Sequence, residues 1–235
     1  MRETILTTHY PQWLHFLVRL LLILLLILLF SILSEGSGRK ARQRLTREQI
    51  AAAEERLSDL GYWTGPVDGI FDGASQHALI AFRKVEHRKR AGELTAGDLE
   101  ALRIAIAPQP RESSYAHIEV DLTRQILMMV DGNGIASHIL SVCTGNEQLY
   151  QDGGRWERAH TPRGRFVVTR KINGWRLSSL GLLYYPNYIY QGIAIHGSLA
   201  IRTYPDSHGC IRIPMFASKR FSELTPVGTI VFVYE

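Results

Sequence analysis

The sequence predicts an α+β protein in which a small three-helix domain precedes a mostly β domain, and three observations predict it. Apolar residues recur at helical spacing over residues 46–107, the period falls to two from His117 onward, and a proline-rich polar stretch separates the two regimes. With 235 residues, 46 % of them apolar, the chain can build real cores without disulfide staples. Cys143 and Cys210 are the two cysteines, so neither a disulfide framework nor a four-cysteine zinc site can be assembled.

The first element is "LLILLLILLFSIL", Leu20 to Leu33, which carries no charge and belongs in a membrane. It suits a secretory signal core; counted from Phe16, with Arg19 snorkelling, it reaches the lower limit for a spanning helix, about 17 residues. Residues 1–35 are therefore a signal or membrane-anchor segment, and the lack of an Ala-x-Ala cleavage site favours an uncleaved N-terminal hydrophobic helix. Residues 36–45 form a basic linker. Its Arg39, Lys40, Arg42 and Arg44 outnumber Arg2 and Arg19 ahead of the run, which by itself favours a cytoplasmic C-terminal side.

In the helical domain, residues 46–107, Thr46 and Gln49 make a capping-box start, and Ile50, Ala53, Leu57 and Leu60 mark a first helix that ends at Gly61. "GPVDGIFDG" (Gly65 to Gly73) is turn-rich. Ala78, Leu79 and Phe82 mark a second helix; Leu99, Leu102 and Ile106 mark a third, after Thr95. Residues 108–114 are a linker.

In the β domain, residues 115–235, Ile118, Val120 and Leu122 alternate with polar neighbours. "QILMMV" then leads into the hairpin turn "DGNG" and a third strand ending near Cys143. "RFVVT" at Arg165, "GIAIH" at Gly192 and "TIVFVY" at Thr229 are further strands. Short strands joined by glycine-rich turns indicate a sandwich or open barrel. The net charge of +5 is concentrated in residues 39–47 and in "RKVEHRKR", Arg83 to Arg90. These read as a solvated juxtamembrane stretch and a solvated helix end; without interleaved aromatics or a reading motif, nucleic acid is not an expected partner.

The chemistry concentrates in "HGSLAIRTYPDSHGC", residues 196–210. A cysteine attacks as thiolate, so it needs a histidine to take its proton and backbone N–H groups to hold the oxyanion. His196 ends a strand that fixes its ring. Gly209 permits close backbone approach, and the N–H groups of Gly209 and Cys210 are placed to face a carbonyl oxygen. Arg212 falls on the same side of an extended segment as Cys210, where its guanidinium suits a substrate carboxylate. The expectation is a sulfur held ionised beside the imidazole. No histidine follows Cys210, which excludes enzymes whose cysteine precedes its base. His196, His208 and Cys210 lack the spacing and outer carboxylates of zinc motifs, so no metal is expected.

"SHGCIR" with the upstream "IAIHG" closely resembles the signature of the L,D-transpeptidase (YkuD-type) catalytic domain. The resemblance extends through "HIEVDLTRQILMMVDGNGIASHILSVCTGN", "TPRGRF" and "GTIVFVY". It implies Cys210 as acylated nucleophile, His196 as base, and the Gly197 carbonyl as orienter of the imidazole. His208 and Gly209 would complete the oxyanion and substrate pocket. Apart from the resemblance, Tyr184, Tyr185, Tyr188 and Tyr190 immediately precede the base-bearing strand, and Tyr185 and Tyr190 with Ser207 and Arg212 are the candidate substrate ligands. Two departures stand out: ten residues separate His196 from Ser207, which predicts a short roof loop, and Arg212 stands where many members carry Asn. "RLSDLGYWTGPVDGIFDGASQHALIAFRK", Arg56 to Lys84, resembles the three-helix peptidoglycan-binding domain, with Asp68-Gly69, Phe71, Ala78 and Phe82 at matching positions; Asp72, Ser75 and Arg83 replace the usual Gly, Thr and Gln. Tyr62 and Trp63 are available to stack on sugar or to pack against the helices.

The resemblances imply a cell-envelope enzyme, exported despite its basic flank and either membrane-anchored or secreted. Its partners would be peptidoglycan stem peptides and glycan, with the membrane held through the N-terminal helix. It would attack the bond before a terminal D-Ala, release D-Ala, and pass the acyl group to an amine, with no cofactor. A carboxypeptidase or endopeptidase using water, and a non-catalytic wall-binding protein, are the alternatives. Cys143 reads as a buried inert thiol, with a bridge to Cys210 as the competing reading. His160 reads as structural.

Overall fold

The computed structural model describes Leu17, residues 19–26 and residues 44–235. The chain divides into two compact units, Met1–Arg44 and Leu45–Glu235. In the first, the described residues are helical, and no helix among the described residues is long and apolar enough to cross a membrane. The membrane-anchor expectation therefore has no support there; residues 27–33 of the apolar run and residues 36–43 of the linker lie outside the described residues.

The second unit begins with α1 (Arg47–Asp59), started by the expected capping box: the Gln49 N–H donates to the Thr46 hydroxyl, and the Gln49 side-chain Oε1 accepts from the Thr46 N–H at 2.9 Å. Gly61, at φ +87°, turns the chain against the sheet; a Cβ there would stand 2.4 Å from the Ala136 carbonyl oxygen. Asp72 caps α2 (Gly73–Val85) and Thr95 caps α3 (Ala96–Ile104). The three departures from the usual helical pattern each have a partner: Asp72 is that cap, Ser75 donates to buried Glu54, and Arg83 pairs with Asp98 in the interior.

The strands are, in chain order, β1 (His117–Asp121), β2 (Ile126–Val130), β3 (Ala136–Ser141), β4 (Leu149–Asp152), β5 (Arg155–Arg158), β6 (Gly164–Val167), β7 (Arg170–Lys171), β8 (Trp175–Ser178), β9 (Gly181–Tyr190), β10 (Ile193–Ser198), β11 (Ile211–Pro214) and β12 (Ile230–Tyr234). One sheet runs β3-β2-β1-β12-β6, with β1 and β12 parallel. A second runs β11-β10-β9-β7, with β8 added to β9 and β10 parallel to β11. β4 and β5 form a separate hairpin. This is a mixed α+β unit with a mostly sheet second part.

β2 explains how the layers join. Its Ile126, Met128 and Val130 pack with Leu57, Leu79 and Phe82 of the helices, whereas Leu127 and Met129 join Ile195, Ile211 and Ile213 of the second sheet. A strand buried on both faces reads as an unbroken apolar run rather than an alternation, as "ILMMV" does. The helices thus share a core with the first sheet. α4 (Met215–Leu224), which the sequence reading did not anticipate, closes the second core with Ala217 and Phe221. The stretch read as a linker is fastened as well: the Arg111 and Glu112 N–H groups donate to buried Glu119.

Candidate active site

His196 lies on β10, nearly buried, with Nδ1 2.9 Å from the Gly197 carbonyl oxygen. A carbonyl only accepts, so Nδ1 carries the proton and the Nε2 lone pair is left free. On the parallel strand β11, His196 is in register with Arg212, which puts the two side chains on one face; Cys210 immediately precedes β11. His196, Cys210 and Arg212 line one cavity of about 540 Å³.

Burial sets the resting charge of this pair. It pushes the Cys210 thiol above its ordinary value, against a bond from the Ala194 backbone and the field of Arg212. Burial likewise pushes His196 down to about 4; the Gly197 bond opposes that shift and Arg212 adds to it. Both shifts run against the expected ionised sulfur and favour the neutral thiol and the neutral imidazole.

The loop carrying Cys210 is held by internal bonds. Gly209 has φ +128°, and a Cβ on it would meet the His160 carbonyl oxygen at 2.7 Å. The Ser207 hydroxyl accepts from the Gly209 N–H at 3.0 Å and donates to the Cys210 carbonyl at 2.6 Å. Two sequence expectations change as a result. Ser207 spends its hydroxyl on the loop although it borders the cavity, and the Gly209 N–H meets Ser207 rather than an oxyanion.

Other expected residues fall as follows. His208 lines the cavity and packs its ring on Tyr150, with centroids 4.6 Å apart. Tyr185 and Tyr190, expected to wall the donor pocket, do not line it: Tyr185 sits at φ +48° in the irregular stretch of β9 and stacks edge-on against Tyr184, and Tyr190 packs on Phe166. Tyr188 takes that position, because its neighbours Asn187 and Ile189 point into the core. His160 bonds Glu147 at 2.7 Å. Cys143 is fully buried, and it and Cys210 are both free thiols. Tyr62 is buried against Phe82, which makes it a core residue, and Trp63 is partly buried with its ring on His138.

The sequence reading missed the hairpin β4–β5, which brings Tyr150, Asp152 and Glu157 to the cavity that Arg176 and Arg212 also line. Its signal was the turn "DGGR", residues 152–155, with Gly153 and Gly154 at φ +55° and +80°.

The L,D-transpeptidase catalytic domain (YkuD) matches residues 115–233, and a putative peptidoglycan binding domain matches residues 46–96. Among solved structures, an L,D-transpeptidase from Xylanimonas cellulosilytica is 36 % identical, covers 82 % of this chain and 96 % of its own, and superposes with a TM-score of 0.74. An L,D-transpeptidase from Stackebrandtia nassauensis is 20 % identical over 80 % of this chain and 91 % of its own, with a TM-score of 0.47. No curated protein matches the chain.

Proposed function

The chain belongs to the L,D-transpeptidase (YkuD) family, and from that premise we propose that it is a cysteine acyltransferase of peptidoglycan that cross-links stem peptides. The observation that carries the reading is the placement of His196, with its Nδ1 committed to Gly197, in one cavity with Cys210. A base held near 4 stays neutral at physiological pH and keeps Nε2 ready for a proton.

Cys210 Sγ attacks the carbonyl before the terminal D-Ala of a tetrapeptide stem as Nε2 of His196 takes the thiol proton. The C–N bond breaks, the proton passes to the leaving amine, and D-Ala departs from a thioester. An amine of a second stem then attacks the thioester carbonyl, giving up a proton through His196, and the thiol is restored. Arg212 supplies the fixed cation for a stem carboxylate. No cofactor enters either half-reaction. The substrate sets the location: stem peptides and glycan lie in the cell envelope, outside the cytoplasmic membrane, where the chain would be anchored or secreted.

Incubation with purified disaccharide-tetrapeptide and mass measurement of the products tests this reading. Cross-linked dimers with loss of D-Ala are expected from the native protein and not from Cys210→Ala. Trimmed monomers without dimers would make it a carboxypeptidase. Equal activity of Cys210→Ala, or the lack of a covalent carbapenem adduct on native protein, would overturn cysteine catalysis.

A further inference from the structure

Thr161 is buried at the start of "TPRGRF", away from the cavity lining, and its hydroxyl makes two bonds. Oγ1 accepts from the Gly145 N–H at 2.8 Å and donates to the Gly209 carbonyl at 2.7 Å. A hydroxyl has one proton, and here it is committed to Gly209. The Gly209–Cys210 peptide is trans and planar, so its C=O and N–H point in opposite directions. With the C=O tied to Thr161, the Cys210 N–H must point away from Thr161.

The neighbouring bonds make that direction matter. Ser207 has already taken the Gly209 N–H and the Cys210 C=O. Of the two N–H groups that the sequence placed before an oxyanion, Cys210's own is the one that Ser207 does not occupy. Gly209, at φ +128°, stands in a region where the peptide plane could rotate, and Thr161 is what pins it.

We propose that Thr161 is a positioning residue for acyl transfer: it locks the Gly209–Cys210 peptide so that the Cys210 N–H faces the oxyanion formed when the thiol attacks. The inference rests on the acyltransferase reading above. Thr161 touches neither substrate nor sulfur and acts through the peptide alone. Gly145, which presents the other bond, belongs to "TGN" after Cys143, so two distant segments meet at this hydroxyl.

The test compares two reactions at the same sulfur. With a carbapenem, Sγ bonds to the lactam carbonyl carbon, the ring C–N bond breaks, and the thiol proton ends on that nitrogen; an oxyanion forms on the way. With iodoacetamide, Sγ displaces iodide from a saturated carbon and no oxyanion forms. Thr161→Val keeps the shape and loses the hydroxyl. Its carbapenem acylation rate constant is expected to fall about 10- to 100-fold, the scale of a weakened oxyanion donor, while the initial binding constant and the iodoacetamide rate at Cys210 stay within about twofold. Thr161→Ser should restore acylation.

The ratio of the two rates is read per folded site by peptide mass, so partial loss of folded protein does not obscure it, and Thr161→Ala supplies a second hydroxyl-free variant. Equal losses in both reactions would make Thr161 merely structural and overturn the inference, as would unchanged acylation in Thr161→Val. Either result leaves cysteine catalysis standing. Failure of the native protein to acylate at all would instead sink the acyltransferase reading and this inference with it.

Discussion

Lys84 donates from Nζ to the Val142 carbonyl at 2.8 Å, across the boundary between the second helix and the end of β3. It also donates to the Gln125 carbonyl at 2.9 Å and the Ser141 hydroxyl at 2.8 Å, and is itself 1 % exposed. Val142 precedes Cys143, whose N–H and C=O exchange bonds with Arg212 at 3.1 and 2.9 Å. The helical layer is thus joined, through one side chain and one strand end, to the strand that begins after the nucleophile.

Removing that side chain has a pH signature. Burial pushes Lys84 down to about 7 from its ordinary 10.5, with Arg90 acting in the same direction and Cys143 against it. Between those values the unfolded chain holds a proton that the folded chain has released, the neutral amine keeping its two N–H groups for the Gln125 and Val142 carbonyls and accepting from the Ser141 hydroxyl; Lys84 therefore makes stability rise with pH from about 7 upward, by at most about 1.4 kcal/mol per unit. Above 9 the raised Cys210 thiol opposes it, because the unfolded thiol ionises first. Lys84→Met should lose about 1–3 kcal/mol at pH 8 through the unsatisfied acceptors, and its denaturation midpoint should be flatter than the native one between pH 7 and 9. Parallel profiles would show that Lys84 keeps its proton in the fold.

Cutting the chain ahead of residue 108 tests the shared core directly. The first sheet would then expose Ile126, Met128, Val130 and Ile139, which pack against Leu57, Leu79 and Phe82 in the intact protein. Each fully buried side chain of this kind contributes about 1.5–3 kcal/mol, so the shortened protein should aggregate or bind a hydrophobic dye. A soluble, cooperatively melting fragment of residues 108–235 would mean that the helices are dispensable to the fold.

The helices and the first hairpin were legible because their signals are local. Thr46, Thr95 and the period of Ala78, Leu79 and Phe82 each report a cap or a face within one turn. "SHGC" was legible for the same reason. What stayed hidden depends on partners far along the chain: Lys84 reads as one more cation in a basic run until β3 covers it, and Ser207 reads as a substrate ligand until Gly209 and Cys210 close on it. The tyrosines of β9 fall at 184, 185, 188 and 190, on both faces of a strand whose pairing with β10 is irregular, so sequence spacing does not tell that Tyr188 is the one that meets the cavity.

Gly209→Ala should abolish acyl transfer. The added Cβ would sit 2.7 Å from the His160 carbonyl oxygen and 2.8 Å from Ile193 Cδ1, at a φ of +128° that side chains rarely adopt. The strain, of the order of 1–3 kcal/mol, falls on the peptide that carries the nucleophile. Adduct formation with a carbapenem should drop at least about 100-fold while the melting temperature falls by only a few degrees. Retention of near-native acylation would show that the loop tolerates the shift.

The charge state of the resting site gives the last prediction. In a thiolate–imidazolium pair, alkylation of the cysteine by iodoacetamide is already at its plateau at neutral pH, since the sulfur ionises in the acid range. Here burial holds Cys210 above its ordinary thiol value and His196 down to about 4, so near neutrality both groups are uncharged. Alkylation should accordingly be slow at pH 7 and keep rising past pH 9. Acyl transfer should instead be lost only in the acid range, as His196 gains its proton on descent towards pH 4 and can no longer accept one from the thiol. A flat alkylation profile from pH 6 to 9 would establish the ion pair and require an electropositive environment stronger than Arg212 and the Ala194 backbone bond together provide.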